Sequence, residues 1–353
     1  MHKIKVLIVD DSAVVRKVLS EELSRYQDIE IVAAAPDPYI ARDKIVQLEP
    51  DVLTLDVEMP RMDGVTFLEK LMKSRPMPVI ILSTLTPRGC QLAMRAFDAG
   101  ALEVMHKPEL DVSVKLNEMI GQLVEKIRGA AQAKGRITPR RIHPAVRPSG
   151  AVPTPALKTT DKVIVIGAST GGTEAIRAIL PALPAVFPGI VIAQHMPANF
   201  TRSFAESLDD ACALKVKEAE NNDTIRPGLV LLAPGNFHMI VRRSGARYYV
   251  TLNQGPMVHH QRPAVDVLFT SAAKYVGSNA VGVILTGMGK DGAEGLLKMK
   301  EAGARTIGQD ERSCVVYGMP KAAAEIGAVD YVRALEDIPT AITQVLSKIG
   351  GKT

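Results

Sequence analysis

One pattern repeats along this chain and constrains its fold more than any other feature. A short run of apolar, mostly β-branched residues stops at a polar cluster, and a helix-period segment follows. Such runs occupy 5–9, 30–34, 52–55, 79–82 and 102–105, and again 163–166, 190–193 and 281–285. Runs without polar alternation suit strands that are buried on both faces. Strands alternating with helices predict parallel sheets with helices on both sides. In that architecture ligands bind beyond the carboxyl ends of the strands. The polar clusters that end these strands are therefore the first places to look for chemistry.

A length of 353 residues fits about two domains. The division falls in a basic, proline-rich stretch. Between 129 and 160 lie Lys134, Arg136, Arg140, Arg141, Arg147 and Lys158, with no acid, and Pro139, Pro144, Pro148, Pro153 and Pro155. Proline withdraws backbone donors and favours extended chain, so a tether is expected here. The boundaries read as a first domain over 1–126, a linker over 127–160 and a second domain over 161–349. The first domain has five β/α units, a (βα)5 fold. The second is a doubly wound parallel α/β domain.

Composition removes several classes of function. The net charge is +5, but six of the 43 basic residues, and none of the 38 acids, lie in the tether, so the rest of the chain sums to −1. With no Trp and 4% aromatics, base stacking is poorly supplied. No nucleic-acid partner is expected. The apolar runs are far shorter than the roughly 18 residues of a membrane span, so no membrane insertion is expected. The run at 5–9 is too short for a signal peptide and ends at Asp10-Asp11. The three cysteines form no C-x-x-C pair, which argues against a disulfide framework or a cysteine zinc site. A reducing, cytoplasmic setting fits them.

In the first domain Asp10 and Asp11 end the first strand, Asp56 the third and Ser83-Thr84 the fourth, and Lys107 follows the fifth. Converging carboxylates repel one another, and a cation must resolve that repulsion. Mg²⁺ suits hard oxygen ligands, and a lysine ammonium adds a second positive charge. Such a pocket can hold a phosphoryl group while a carboxylate attacks it. An acid at one strand end is more often a helix cap. Here the whole ordered set points to chemistry.

The second domain opens with a strand and then Gly167-Ala-Ser-Thr-Gly-Gly172, with a helix expected from Thr173. The dinucleotide pattern G-x-G-x-x-G is not met, because Ser169 stands at the middle glycine. G-x-S-x-G instead exposes a serine at a helix N-terminus, where developing negative charge is favoured. His195 ends the next strand, and adjacent parallel strands end at one edge, so Ser169 and His195 can meet. The 281–285 run leads into Thr286-Gly-Met-Gly-Lys-Asp291, and Asp291 can orient the histidine as the acid of a triad. The order Ser, His, Asp differs from the Ser, Asp, His order of α/β-hydrolases. His238 and the His259-His260 pair lack an H-E-x-x-H or cysteine context, so catalytic zinc is not expected. His238 and Arg262 are candidates to line the cleft.

These motifs carry two resemblances. Residues 3–125 resemble a response-regulator receiver domain through Asp10-Asp11, Asp56-Val-Glu-Met-Pro60, Asp63-Gly64, Ser83-Thr84 and Lys107-Pro108. The resemblance implies Asp56 as phospho-acceptor, and Mg²⁺ on Asp11, Asp56 and the Glu58 carbonyl, with Asp10 acting through water. It implies Ser83, or Thr84 one position on, as the switch hydroxyl, Lys107 as the phosphoryl contact, and a cis Lys107–Pro108 bond. At the usual switch aromatic this chain has Val104 and Met105. Residues 161–349 resemble the CheB family of chemotaxis methylesterases through GASTGG, QHMP, APGNFH, RPAVDVLF, LTGMGKDGA and SCVVYGMP.

The second resemblance implies hydrolysis of glutamate γ-methyl esters on methyl-accepting chemotaxis receptors, together with deamidation of receptor glutamines. Ester hydrolysis needs no cofactor. The expected oxyanion donors are the backbone N–H groups of Met288 and Thr170, and Thr170 also helps to position the histidine. A CheA-like histidine kinase would phosphorylate Asp56 and so relieve inhibition by a receiver that covers the cleft. Two rival readings are a two-component transcription factor and a nucleotide-binding module on Gly167–Gly172. Against the first, the second domain is large, not basic, and shows no helix-turn-helix pattern.

Overall fold

The computed structural model describes residues 3–84, 86–107, 113–137 and 161–349. The chain divides into two compact units after residue 141. The first unit runs β1 (Ile4–Val9), α1 (Ala13–Leu23), β2 (Ile29–Ala35), α2 (Pro38–Leu48), β3 (Val52–Asp56), α3 (Gly64–Ser74), β4 (Val79–Ser83), α4 (Pro87–Asp98), β5 (Glu103–His106) and α5 (Ser113–Gln132). Its strands form one parallel sheet in the order β2-β1-β3-β4-β5. The chain turns back beside β1, so β1 and β3 end side by side and bring Asp10 next to Asp56. Ser12 caps α1 and Asp63 caps α3 through their side-chain oxygens.

The first helix, α1, buries Val15, Leu19 and Leu23. One expectation needs correction here. The linker does not begin at 127, because α5 continues to Gln132. Ile127, Ala130 and Ala133 extend the buried face begun by Ile120, Leu123 and Val124. Arg128 clamps this turn to Asp28 with two bonds of 2.7 and 3.0 Å. Linker residues 138–160 and the Lys107–Pro108 peptide lie outside the described residues.

The second unit contains β6 (Val163–Ala168), α6 (Gly172–Ile179), β7 (Gly189–Gln194), α7 (Phe200–Ala211), β8 (Lys215–Glu218), β9 (Leu229–Leu232), β10 (His238–Ser244), β11 (Arg247–Asn253), α8 (Val265–Tyr275), β12 (Ala280–Ile284), α9 (Ala293–Glu301), β13 (Arg305–Gln309), α10 (Met319–Glu325), β14 (Tyr331–Arg333) and α11 (Ile338–Ile349). A parallel sheet of seven strands has the order β14-β13-β12-β6-β7-β9-β8, and β10 with β11 forms a separate antiparallel hairpin. From β6 the chain moves outward through β7 to the edge strand β8, fills in β9 between them, and later returns to β12 on the other side. The reversal of strand order lies at β6, flanked by β12 and β7. This is where open α/β sheets place their ligands. These three strands are buried over their full length, as helices on both faces require.

Candidate functional site

The Ser169 loop follows from its glycines. The Gly172 N–H donates to Ser169 O at 2.7 Å, closing a turn in which Gly171 has φ 76° and ψ −1°. That is the third position of a type II turn, which favours glycine. Gly172 has another constraint: a Cβ there would lie 2.2 Å from Gln194 Oε1. Gly167 allows α8 to approach, since its Cβ would meet Val265 Cγ1 at 2.2 Å. The Ser169 N–H donates to Thr286 O at 3.0 Å, which ties the loop to the end of β12.

Ser169, His195 and Asp291, from the ends of β6, β7 and β12, come together and are all buried. His195 Nδ1 lies 3.0 Å from Ser169 Oγ, and His195 Nε2 lies 2.7 Å from Asp291 Oδ2. A carboxylate only accepts, so Nε2 carries the ring proton and Nδ1 presents its lone pair to the serine hydroxyl. The ring nitrogens therefore exchange the roles they hold in serine proteases. Asp291 also accepts the N–H groups of Val265 at 2.7 Å and Asp266 at 2.9 Å, the first two residues of α8. Burial alone would raise its pKa. The bond and charge of His195 and the two N–H groups outweigh burial and hold the carboxyl below its usual range.

Among the described residues, the N–H groups of Thr170 and Met288 have no hydrogen-bond partner. The direction of the second is fixed. Gly287 O accepts from Gly318 N–H at 3.1 Å and Met319 N–H at 2.8 Å. In a trans peptide the Met288 N–H then points the opposite way.

Residues that the sequence reading missed hold this arrangement. The single Thr286 hydroxyl proton lies between two acceptors, Thr170 O at 3.0 Å and Val316 O at 3.1 Å, and Oγ1 accepts from the Val316 N–H at 2.9 Å. The Thr286 N–H donates to Gln309 Oε1 at 2.8 Å. Gln194 Nε2 donates to Ser169 O at 3.0 Å. The signal was available, since Thr286, Gln194 and Gln309 all end or follow strands of this sheet. His238 and Arg262 are occupied with backbone and amide groups. His238 bonds Pro256 O and the Ala264 N–H, while Arg262 bonds Asn236 Oδ1 and the carbonyls of Gln254 and Gly255.

The first unit holds a separate pocket. Asp10, Asp11 and Asp56 place carboxylate oxygens within 4.8 Å of one another. Lys107 Nζ lies 3.0 Å from Asp10 Oδ2 and 2.7 Å from Asp56 Oδ2. Burial first, and then the Asp10 charge, raise Asp56 to about 6 against the pull of Lys107 and the Glu58 N–H. Burial likewise raises Asp10, and the two acids keep Lys107 protonated above its ordinary range despite its own burial. The set is one of hard oxygens, and buried oxygens of Asp10 and Asp56 meet only the ammonium. This fits Mg²⁺. Among the described residues, neither switch candidate hydrogen-bonds to Asp56. Ser83 Oγ donates to Gly89 O at 3.1 Å in the first turn of α4, and Thr84 Oγ1 donates to Glu58 Oε2 at 2.7 Å. Val104 and Met105 are buried in β5.

Comparison with known proteins gives a consistent picture. The CheB methylesterase family model matches residues 164–342, and that of the response regulator receiver domain matches 6–117. Protein-glutamate methylesterase/protein-glutamine glutaminase 2 of Syntrophus aciditrophicus is 58% identical over 347 residues, covering 98% of this chain and 100% of its own length. A protein-glutamate methylesterase/protein-glutamine glutaminase of Bdellovibrio bacteriovorus is 54% identical, covering 96% of each chain. The crystal structure of the Thermotoga maritima CheB methylesterase catalytic domain is 42% identical with a TM-score of 0.51, over 52% of this chain and 98% of that one.

Proposed function

The chain belongs to the CheB methylesterase family, and from that premise we propose that it hydrolyses glutamate γ-methyl esters on chemotaxis receptors with Ser169, His195 and Asp291. The observation that carries this reading is the continuous hydrogen-bond chain from Ser169 Oγ through His195 to Asp291. His195 Nδ1 takes the Ser169 proton as Oγ attacks the ester carbonyl. The N–H groups of Met288 and Thr170 receive the oxyanion; one such donor is worth about 2.7–4 kcal/mol of barrier. The imidazolium then protonates the leaving methoxide, and methanol departs. Water attacks the acyl-enzyme, gives its proton to Nδ1, and the serine regains it as the glutamate carboxylate is released. Asp291 fixes the tautomer and stabilises the imidazolium throughout. A glutamine side chain follows the same route with ammonia as leaving group.

The receiver supplies control. Asp56 accepts a phosphoryl group from a CheA-like histidine kinase, and esterase activity rises. Asp11, Asp56 and the Glu58 carbonyl, with Asp10 through water, would hold Mg²⁺, which when bound supplies charge neutralisation for the transfer. Lys107 remains to pair with the phosphoryl oxygens, and Ser83 or Thr84 is released to bond one of them. The first domain runs through the end of α5 at Gln132 and the second over 161–349. The setting is cytoplasmic, and among the described residues no helix is long and apolar enough to cross a membrane.

The test is methanol release from methylated receptor membranes, with and without a small phosphodonor and Mg²⁺. Wild type should respond to the phosphodonor. Asp56→Asn should keep the basal rate without the response, and Ser169→Ala should release nothing. Full activation of Asp56→Asn would overturn the phosphoswitch, and unchanged release by Ser169→Ala would overturn the triad.

A further inference from the structure

Behind the triad lies a second carboxylate–imidazole pair. Asp266 stands in the first turn of α8, and Asp291 stands in the turn that enters α9. Asp291 accepts the N–H groups that open α8, while Asp266 Oδ1 accepts the Gly295 N–H in the first turn of α9 at 2.6 Å. Each helix start is thus held by an acid on the other segment. Capping accounts for Oδ1 of Asp266. It does not account for Oδ2, which faces His259 Nε2 at 3.0 Å.

The backbone that presents His259 is unusual. Val258 and Gln261 bond each other in both directions, at 3.2 and 2.9 Å, around a two-residue loop. Both loop residues have positive φ, 50° at His259 and 59° at His260. Such turns favour Asn-Gly, and histidine is seldom found there. A local rule broken where the surroundings hold one side chain in place is a pointer to function.

His259, Asp266 and Asp291 have donor or acceptor atoms within 4.8 Å of one another. Each of these carboxylate oxygens already accepts a hydrogen bond, so the set reads as a hydrogen-bonded carboxylate–imidazole pair beside a triad acid rather than as a chelate. Burial, and then the neighbouring Asp291 charge, push the Asp266 carboxyl up, against the Gly295 N–H and His259.

We propose that His259 and Asp266 are positioning residues for hydrolysis: the His259 imidazolium neutralises Asp266, so that Asp291 alone supplies the negative charge felt by His195. This rests on the triad reading above. Without the imidazolium, a second buried anion beside Asp291 favours protonated His195, and the base is lost at higher pH. Without the Asp266 charge, His195 gives up its proton more readily. Other charged or titratable groups line the same groove: Arg242 from β10, Lys274 and Tyr275 from α8, and Glu294 and Lys298 from α9. They stay constant between the variants and cannot shift them in opposite directions.

The experiment is the pH dependence of kcat/KM for methanol release by the full chain, comparing wild type, His259→Gln, Asp266→Asn and Ser169→Ala. In His259→Gln the new amide keeps a donor to Asp266, and in Asp266→Asn the new amide oxygen keeps an acceptor for the Gly295 N–H, so packing is conserved. The acid midpoint is expected to rise by about half a unit or more in His259→Gln and to fall by a similar amount in Asp266→Asn. A purely structural role would lower the plateau and leave both midpoints in place. Unmoved midpoints, or movement in one direction, would overturn the proposal. Should His259→Gln fail to fold, ¹⁵N-histidine titration of Ser169→Ala by NMR reads the same coupling. The His195 signals should then show a second inflection at the His259 midpoint, and its absence refutes the pairing. Activity surviving in Ser169→Ala would instead defeat the triad reading itself.

Discussion

Replacing Thr286 with Val separates a hydrogen-bonding role from a packing role where its segment meets those of Thr170 and Val316. The substitution keeps the shape of a 1% exposed side chain and removes its hydroxyl. Val316 O keeps a partner in the Gly287 N–H at 3.1 Å. The Val316 N–H and Thr170 O lose theirs. A buried polar group left unpaired costs about 1–3 kcal/mol, so Thr286→Val should lose roughly 2–4 kcal/mol after the small gain from burying a methyl group. Thr286→Ser keeps all three bonds and should lose only about 1 kcal/mol for the missing methyl. The assay is urea unfolding of the full chain followed by tyrosine fluorescence, since Tyr248, Tyr249, Tyr275, Tyr317 and Tyr331 all lie in the second unit. The two units are fitted as separate transitions. Activity should follow the same order, because Thr286 joins the loop of Ser169 to the segment that aims Met288. A Thr286→Val transition within about 0.5 kcal/mol of Thr286→Ser would show that the hydroxyl network contributes nothing.

Other expectations follow from single contacts. A Cβ at Gly287 would lie 2.7 Å from Ser169 Cβ and 2.4 Å from Met319 Sδ; Gly287→Ala should therefore lower kcat at least tenfold, a displacement worth about 1.4 kcal/mol of barrier, and a wild-type kcat would refute this. Asp291→Asn should cut kcat by about 10⁴ through the wrong imidazole tautomer, and steady-state methanol release measures it. In the receiver, Asp56 is raised to about 6 from 3.8, so the folded state binds the extra proton between those values. The contribution of Asp56 to stability is therefore favourable at low pH and is lost as pH rises through about 6. Asp56→Asn should make the receiver more stable than wild type at pH near 7.5, with the gap closing toward about pH 4. Thermal melts across that range check it, and a gap independent of pH would contradict it. Added Mg²⁺ should raise the wild-type receiver midpoint at neutral pH more than that of Asp56→Asn.

The strands and their polar ends were legible because buried parallel strands leave an unbroken apolar run, and each run here stops where the sheet edge begins. That edge is where Ser169, His195 and Asp291 meet. Less legible was anything that depends on a backbone group being used twice. Thr286 reads as an ordinary strand-end threonine until Thr170 and Val316 are folded against it. The end of the receiver helix was misplaced for a related reason. Local composition beyond residue 128 is small and polar, but Ala130 and Ala133 need only a slight apolar surface to pack, and Asp28, which anchors Arg128, lies 100 residues away. The His259-His260 pair reads as loop until the turn shows positive φ at both residues.

Asp56 and Asp291 show how one residue type beyond comparable sheet edges is prepared for opposite work. Both are buried, so desolvation pushes both toward the neutral form. Asp291 receives two N–H groups from the start of α8 and the Nε2 proton of His195, and it is held below the usual carboxylate range. Its charge is satisfied in place, as the role proposed for it beside His195 requires. Asp56 receives one backbone N–H and shares a single ammonium with Asp10, whose charge opposes its own. It is raised instead, to about 6. A carboxylate so poorly satisfied gains most from further positive charge. Fixed dipoles suit the triad role proposed for Asp291, and an underpaired cluster suits the phospho-acceptor role proposed for Asp56.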